Sequence, residues 1–158
     1  MQYVKLGRTG LDISPVCIGC MGFGEPSRAY PSWSLDEEAS RALIRHAIDA
    51  GINFFDTADA YANGASERIV GRLIAADRAR WVVASKVANP MGPGPNDRGL
   101  SRRHAFDAVD ASLKRLGTDF IDILYLHRED IGTPLEETVR ALADLQRAGK
   151  IRYFGLSN

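Results

Sequence analysis

The feature that most limits the fold of this sequence is a strict alternation of strand-like and helix-like segments. Five short apolar segments alternate with four longer ones in which apolar residues recur at helical spacing. Such alternation predicts parallel strands joined by right-handed helical crossovers. The five predicted strands are Val16–Cys20, Asn53–Asp56, Trp81–Lys86, Ile121–His127 and Ile151–Leu156.

Turn and capping residues place the other elements. Residues 3–14 carry two short alternating stretches around Gly7-Arg8-Thr9-Gly10, which predicts a β-hairpin before the main sheet. The first helix is predicted to begin at Ser34, with Glu37 completing a capping box. The last helix is predicted to have Thr133 as its N-cap and Pro134 at its first position. Its predicted inward-facing residues are Leu135, Val139, Leu142 and Leu145.

Length and charge narrow the class of protein. The 158 residues suit one domain, and 20 acidic residues balance 20 basic ones. A net charge of zero gives no field that would attract nucleic acid or an anionic membrane. No apolar run approaches the ~20 residues of a membrane span, and the N-terminus lacks a signal-peptide pattern. We therefore expect a cytoplasmic protein whose partner is a small molecule.

The two cysteines form a C-x-x-C pattern, which can indicate a redox or zinc site. Cys17 and Cys20 lie inside a predicted strand, where residues three apart point to opposite faces. The sequence has no second cysteine pair, and the pattern does not open a helix. We predict ordinary reduced thiols and no metal site.

Four polar side chains stand at or just after the ends of three predicted strands. Asp56 ends one strand and Tyr61 follows it in the loop, while Lys86 and His127 end the next two strands. In parallel α/β folds, ligands bind at the carboxyl ends of the strands. The four side chains are therefore expected to converge on one rim of the sheet.

These residue types suit proton donation to a carbonyl. A lysine at such a rim needs a partner for its charge, and Asp56 can provide one, either as a structural ion pair or as part of a site. An ammonium near Tyr61 would stabilise its phenolate and make it a usable general acid. A neutral His127 could orient a carbonyl oxygen. The set fits reduction of a C=O by hydride without a metal.

Several segments, in order, resemble the N-terminal portion of the aldo-keto reductases, a family of nicotinamide-dependent oxidoreductases with a (β/α)8 TIM-barrel fold. The resemblance rests on Leu6–Leu11, Gly51–Ala58 with Tyr61, Ser85–Lys86, Leu116–Arg128 and Gly149–Asn158. It implies an α/β barrel of which the chain holds the first five strands and four helices, after the hairpin. Because such a barrel needs roughly 250 residues, we expect residues 1–158 to be one truncated domain without its C-terminal part.

The resemblance also implies roles for individual residues. The catalytic set would be Tyr61 as proton donor, Lys86 tuning it, Asp56 pairing with Lys86, and His127 positioning the carbonyl. NADP(H) is the expected cofactor, with NADH left open. Trp33 and the loop 88–100 fall where the family lines its substrate pocket, although Trp33 could equally serve packing. The implied cofactor-binding residues are Cys20, Met21, Asp56, Ser157 and Asn158.

The sequence is also compatible with two other functions. The fold could serve as a non-catalytic module that binds a nicotinamide or a partner, or Lys86 could be the nucleophile of a Schiff-base lyase. The sequence does not identify the carbonyl substrate. An incomplete barrel would expose apolar edges, which a second copy of the chain could cover, and we expect little turnover from the chain alone.

Overall fold

The structure is a computed structural model that describes residues 1–25 and 33–157. The strands are β1 (Val4–Lys5), β2 (Asp12–Ile13), β3 (Ile18–Gly19), β4 (Phe54–Asp56), β5 (Val82–Val87), β6 (Ile121–Leu126) and β7 (Ile151–Leu156). The α-helices are α1 (Glu37–Asp49), α2 (Ala65–Ile74), α3 (Arg102–Leu116) and α4 (Leu135–Arg147). Short 3-10 segments at Tyr61–Gly64 and Ala75–Arg80 flank α2.

The strands form one hairpin and one parallel sheet. β1 and β2 pair in antiparallel fashion, and β3 to β7 pair in parallel, in the same order as in the chain. Helices cross over between β3 and β4 and between each later pair of strands. This is the predicted architecture, a section of a (β/α) barrel preceded by a hairpin. The parallel register also places Asp56 beside Ala84, and Lys86 beside Tyr125.

The two faces of the sheet pack against different partners. Because side chains alternate along a strand, Phe55, Val83 and Leu124 face the helices and form the larger core. Their neighbours in sequence face the other side, the interior of the partial barrel, where Phe54 and Val82 contact the hairpin. The Asn53 side chain, just before β4, accepts from the Ser14 amide and donates to the Asp12 carbonyl, so the hairpin segment lies at the amino ends of the strands, opposite their carboxyl termini.

Two helix starts differ from the sequence predictions. The N-cap of α1 is Asp36 rather than Ser34, and its carboxylate accepts a hydrogen bond of 2.9 Å from the Ala39 amide. Thr133 does not cap α4, because its hydroxyl donates to Asp130 Oδ2 at 2.7 Å. Because the Thr133 hydroxyl is bonded to Asp130, it does not cap the helix. Pro134 occupies the N-cap position, and no side chain caps α4.

The predicted inward face of α4 is only half buried. Leu142 and Leu145 are buried, but Leu135 is 67% exposed and Val139 is 44% exposed. Leu156 at the end of β7 is also 76% exposed. The prediction for Leu135 and Val139 was wrong because no strand or helix in the described part of the chain packs on this side of α4. Among the described residues, no helix combines the length and apolar character needed to cross a bilayer.

Candidate active site

The sheet brings the four predicted polar residues to one rim. Asp56 ends β4, and Lys86 is the penultimate residue of β5. His127 directly follows β6, and its backbone amide donates to Val87 O at 2.9 Å. Because β4, β5 and β6 are adjacent and parallel, their carboxyl ends lie side by side. Tyr61 reaches the same rim from the loop after β4.

Lys86 is the centre of this group. Its Nζ donates to Asp56 Oδ1 at 2.6 Å, to the Thr57 carbonyl at 2.9 Å and to the Tyr61 hydroxyl at 3.1 Å. An ammonium has three protons, so each has an acceptor. The residue is only 5% exposed. The cation is therefore fixed in position beside the tyrosine oxygen.

The surroundings of Lys86 keep it charged. Burial by itself acts to lower the pKa of Lys86, because it disfavours the ammonium. The hydrogen bond and negative charge of Asp56, followed by the contact with Tyr61, more than offset this, so the pKa is raised. Lys86 is therefore a cation at neutral pH.

The loop that carries Tyr61 is held in an unusual conformation. Ala62 and Asn63 have φ angles of 48° and 52°, and Gly64 follows at 81°. Left-handed conformations at non-glycine residues cost of order 1–3 kcal/mol each and tend to cluster at functional sites. On the other side of the loop, the Thr57 hydroxyl lies 2.9 Å from Ser66 Oγ, which donates to the Cys20 carbonyl. The loop is thus fastened to both β3 and α2.

His127 lies beside Tyr61 on this rim. The two ring centroids are 5.7 Å apart, in an edge-to-face arrangement. Burial and then the nearby Lys86 cation lower the pKa of His127, so its imidazole is neutral at neutral pH. Its Nδ1 lies 3.0 Å from Nδ2 of Asn89, a residue that the sequence analysis did not single out. Asn89 is the second residue after β5, and this position near the carboxyl end of a strand could have indicated a site residue from the sequence.

A buried polar network supports the rim from behind. Glu67 on α2 is fully buried and accepts hydrogen bonds from Ser85 Oγ at 2.6 Å and Arg115 Nε at 2.5 Å. Asp59 is also fully buried, and its carboxylate oxygens have no hydrogen-bond partner among the described residues. Burial and then the nearby Glu67 raise the pKa of Asp59 to about 7. This network was not predicted from the sequence, because the burial of Glu67 and Asp59 becomes visible only in the structure.

The residues predicted to bind the cofactor differ in burial and in the face of the sheet on which they lie. Ser157 shares a cavity of about 330 Å³ with Asp56 and Lys86, inside the partial barrel. Cys20 is fully buried and packs on the helix side, so only its backbone faces β4, where its amide donates to Asp56 O at 2.8 Å. Met21 is 44% exposed, and Asn158 lies outside the described residues.

The cysteine pair has no shared site. Cys17 lines the interior cavity and is exposed, whereas Cys20 is buried on the opposite face, as the strand spacing predicted. Desolvation, followed by the charge of Asp56, raises the pKa of Cys17 to about 12, and burial also raises the pKa of Cys20. The described residues contain no cluster of three or more histidine, cysteine or acidic side chains placed to hold a metal.

The predicted pocket residues line open surfaces. Trp33 is 63% exposed and its ring lies over Gly22, where a Cβ would come within 2.9 Å of the indole. Asp130 anchors the end of loop 88–100 by accepting from the Leu100 amide at 2.7 Å. That loop and the segment after β6 line a cavity of about 540 Å³.

Comparison with known sequences gives a consistent result. A model of the Aldo/keto reductase family matches residues 15–158. The versiconal hemiacetal acetate reductase of Aspergillus parasiticus is 43% identical over 178 residues, which covers 100% of this chain and 51% of the fungal protein. A probable voltage-gated potassium channel subunit beta of Arabidopsis thaliana is 42% identical, with 99% of this chain and 46% of the plant protein covered.

Comparison with solved structures agrees with the sequence matches. An aldo-keto reductase from Bacillus halodurans, in its holo form, superposes with a TM-score of 0.86 at 34% identity. The superposition covers 99% of this chain and 50% of the bacterial protein. The chain thus spans about half the length of the relatives it matches. The family match over nearly all of its residues, together with the fold, shows that the chain belongs to the aldo/keto reductase family.

Proposed function

We propose that the chain provides the catalytic half of an NAD(P)H-dependent reductase that converts aldehydes or ketones to alcohols, with Tyr61 as the proton donor. The observation that carries the proposal is the 3.1 Å hydrogen bond from the Lys86 ammonium to the Tyr61 hydroxyl, with Asp56 holding Lys86 from the other side. Family membership supports the same reaction class.

The proposed chemistry follows from the charges at the rim. A bound nicotinamide supplies the hydride for the carbonyl carbon. The carbonyl oxygen gains negative charge as this happens, and Tyr61 gives it a proton. The Lys86 cation stabilises the phenolate left on Tyr61, while neutral His127 donates a hydrogen bond that orients the oxygen. Asp56 keeps Lys86 charged and in place.

The same rim offers groups that suit a nicotinamide. Ser157 and Asp56 share the interior cavity, and the backbone around Cys20 and Met21 lies at the end of the neighbouring strand β3. We propose that these residues and Asn158 hold the cofactor, with NADPH favoured over NADH. The protonated state of Lys86 disfavours the lyase alternative, since an imine-forming lysine must be neutral to attack.

We propose further that residues 1–158 form the N-terminal part of one (β/α)8 domain. The exposed Leu135 and Leu156 and the half-length match to relatives support this proposal. A second candidate function is a partner-binding module that holds a cofactor without turnover. The plant relatives described as probable potassium channel subunits favour it, because they match this chain as closely as the reductases do.

A cofactor titration followed by a turnover assay separates these functions. NADPH is titrated into the chain while tryptophan fluorescence is recorded; Trp33→Phe serves as control, because the buried Trp81 then reports alone. Turnover is measured with a panel of aldehydes and ketones on the completed barrel, meaning residues 1–158 fused to the C-terminal half of the Aspergillus parasiticus relative. NADPH-dependent reduction supports the proposal. Binding without reduction of any carbonyl supports the partner-binding module and contradicts the reductase.

A further inference from the structure

The segment that leaves β5 carries an unusual backbone conformation next to the proposed site. Ala88 has φ of 139°, a region that side chains with a Cβ rarely adopt, and it is only 4% exposed. Its carbonyl accepts from the Gly99 amide at 2.8 Å, while Val87 O accepts from the His127 amide at 2.9 Å. The strained residue is therefore fixed by neighbours on both sides.

This conformation determines where Asn89 points. Asn89 precedes Pro90, and a residue before proline is largely restricted to extended backbone. The positive φ of Ala88 and the restriction at Asn89 together limit the backbone conformation of the asparagine. Its side-chain Nδ2 then lies 3.0 Å from Nδ1 of His127. Strain of this kind persists only where the surrounding structure over-determines it, and it marks functional sites.

The atoms in this contact decide which ring nitrogen carries the proton. An amide NH2 group can only donate a hydrogen bond, so Nδ1 of His127 must accept. In a neutral imidazole, the other nitrogen then holds the proton. We propose that Asn89 is a positioning residue that holds neutral His127 with its proton on Nε2, so that Nε2–H is the donor to the substrate carbonyl oxygen.

The arrangement has a consequence for protonation of the ring. An imidazolium has protons on both nitrogens, and its Nδ1–H would meet the amide protons of Asn89. Among the described residues, the charged groups that act on His127 are Lys86, Asp56 and Arg128, and the Tyr61 ring lies alongside. Asn89 therefore acts with burial and with the Lys86 cation to keep the ring neutral. This inference rests on the proposed reductase function for the role of Nε2, but not for the position of the proton.

The position of the proton can be measured on the 158-residue chain itself. Long-range proton–nitrogen NMR correlations of histidine-labelled protein distinguish a protonated ring nitrogen from a bare one, and a His127→Gln sample identifies the signals of His127. We expect a bare Nδ1 and a protonated Nε2 at neutral pH. A protonated Nδ1 in the wild-type chain would overturn the proposal, whatever the activity of the protein.

Substitution at Asn89 gives a second, independent test. In Asn89→Asp the carboxylate can only accept, so we expect the neutral ring at neutral pH to carry its proton on Nδ1 instead of Nε2. The matched control is Asn96→Asp, which adds the same charge at an exposed position of the same loop and should leave His127 unchanged. An unchanged His127 spectrum in folded Asn89→Asp would contradict the assignment.

The pH profile separates positioning from a general structural role. In the completed barrel, Asn89→Asp should lose on the order of 100-fold in kcat at neutral pH, because the donor to the carbonyl oxygen is lost. Acidic pH should restore part of this loss, since an imidazolium again donates from Nε2. An equal loss at every pH would contradict the positioning role. If Asn89→Asp moves the proton while Tyr61→Phe retains turnover, the assignment of Asn89 stands and the proposed function fails.

Discussion

Lys86 Nζ lies 2.6 Å from Asp56 Oδ1, and this ion pair joins two adjacent parallel strands at their carboxyl ends. The lysine side chain is 6% exposed and the aspartate side chain 34% exposed. The pair is therefore buried at one end and open to solvent at the other. Removing the aspartate leaves a buried ammonium without its counter-charge, which costs more than the pair itself contributes.

Asp56→Asn should lower the free energy of unfolding. We expect a loss of about 2 kcal/mol, less than for a fully buried pair because Asp56 contacts solvent. Urea denaturation measures it. The control is Asp12→Asn, which removes an exposed partner of Lys5 and should change stability by less than about 1 kcal/mol. Equal losses in the two variants would mean that Lys86 does not depend on Asp56.

The buried carboxyl of Asp59 should make stability depend on pH. Its pKa is raised to about 7 in the folded chain, so the native state holds a proton that the unfolded state releases near pH 4. Stability from this group is therefore lost as pH rises between these two values. Relative to Asp59→Asn, the wild-type chain should lose on the order of 2 kcal/mol between about pH 5 and pH 7.

The measurement for Asp59 is urea denaturation of both proteins across that pH range. Asp49→Asn, at an exposed position on α1, controls for loss of a carboxylate. The wild-type chain has to be compared with Asp59→Asn, because the lowered pKa of His127 makes stability rise with pH, opposite to the effect of Asp59. Both proteins contain His127, so the difference between them reports Asp59. Parallel stability curves for wild type and Asp59→Asn would show that Asp59 titrates at its ordinary pKa.

Gly71 allows α2 to pack against the end of α3. A Cβ at this position would lie 2.3 Å from the Leu116 carbonyl oxygen, a backbone atom that cannot move aside easily. Gly71→Ala should destabilise the chain by about 1–3 kcal/mol, as overpacking typically does. Gly10→Ala is the matched control, since nothing lies within 4 Å of a Cβ there. Thermal unfolding that is identical for both variants would contradict the packing.

Cys17 should be a poor nucleophile although it is exposed. Its pKa is raised to about 12, and only the thiolate reacts. At about pH 8, a thiol reagent should modify the folded chain at least ~100-fold more slowly than the unfolded chain. Cys17→Ser identifies the contribution of Cys20. Rapid modification of Cys17 in the folded chain would show that the thiolate is accessible and stabilised.

The sequence was informative wherever regular periodicity determines the structure. Alternation of strand and helix predicted the parallel sheet, and the end of each strand predicted the rim, because parallel strands share one carboxyl edge. The positions of Asp56, Lys86 and His127 at the strand ends were therefore enough to predict that they lie on this rim. At the start of α3, the hydroxyl of the N-cap Ser101 accepts from the His104 amide, which is the usual role of a serine at a helix N-terminus.

Contacts between loops could not be predicted in this way. Thr133 carries the features of an N-cap, but Asp130 takes its hydroxyl. The position of Asn89 beside His127 depends on a strained residue, Ala88, that no propensity favours. The exposure of Leu135 depends on what packs beside α4, which periodicity along one helix does not reveal.

The proposed reduction depends on proton transfer from Tyr61 to the carbonyl oxygen, so removal of the Tyr61 hydroxyl is the decisive test. In the completed barrel, Tyr61→Phe should lower kcat for aldehyde reduction by about 10²- to 10⁴-fold, with NADPH binding unchanged. Tyr3→Phe, whose hydroxyl donates to the Gly51 carbonyl far from the rim, should retain turnover. Full activity in Tyr61→Phe would contradict the proposed mechanism.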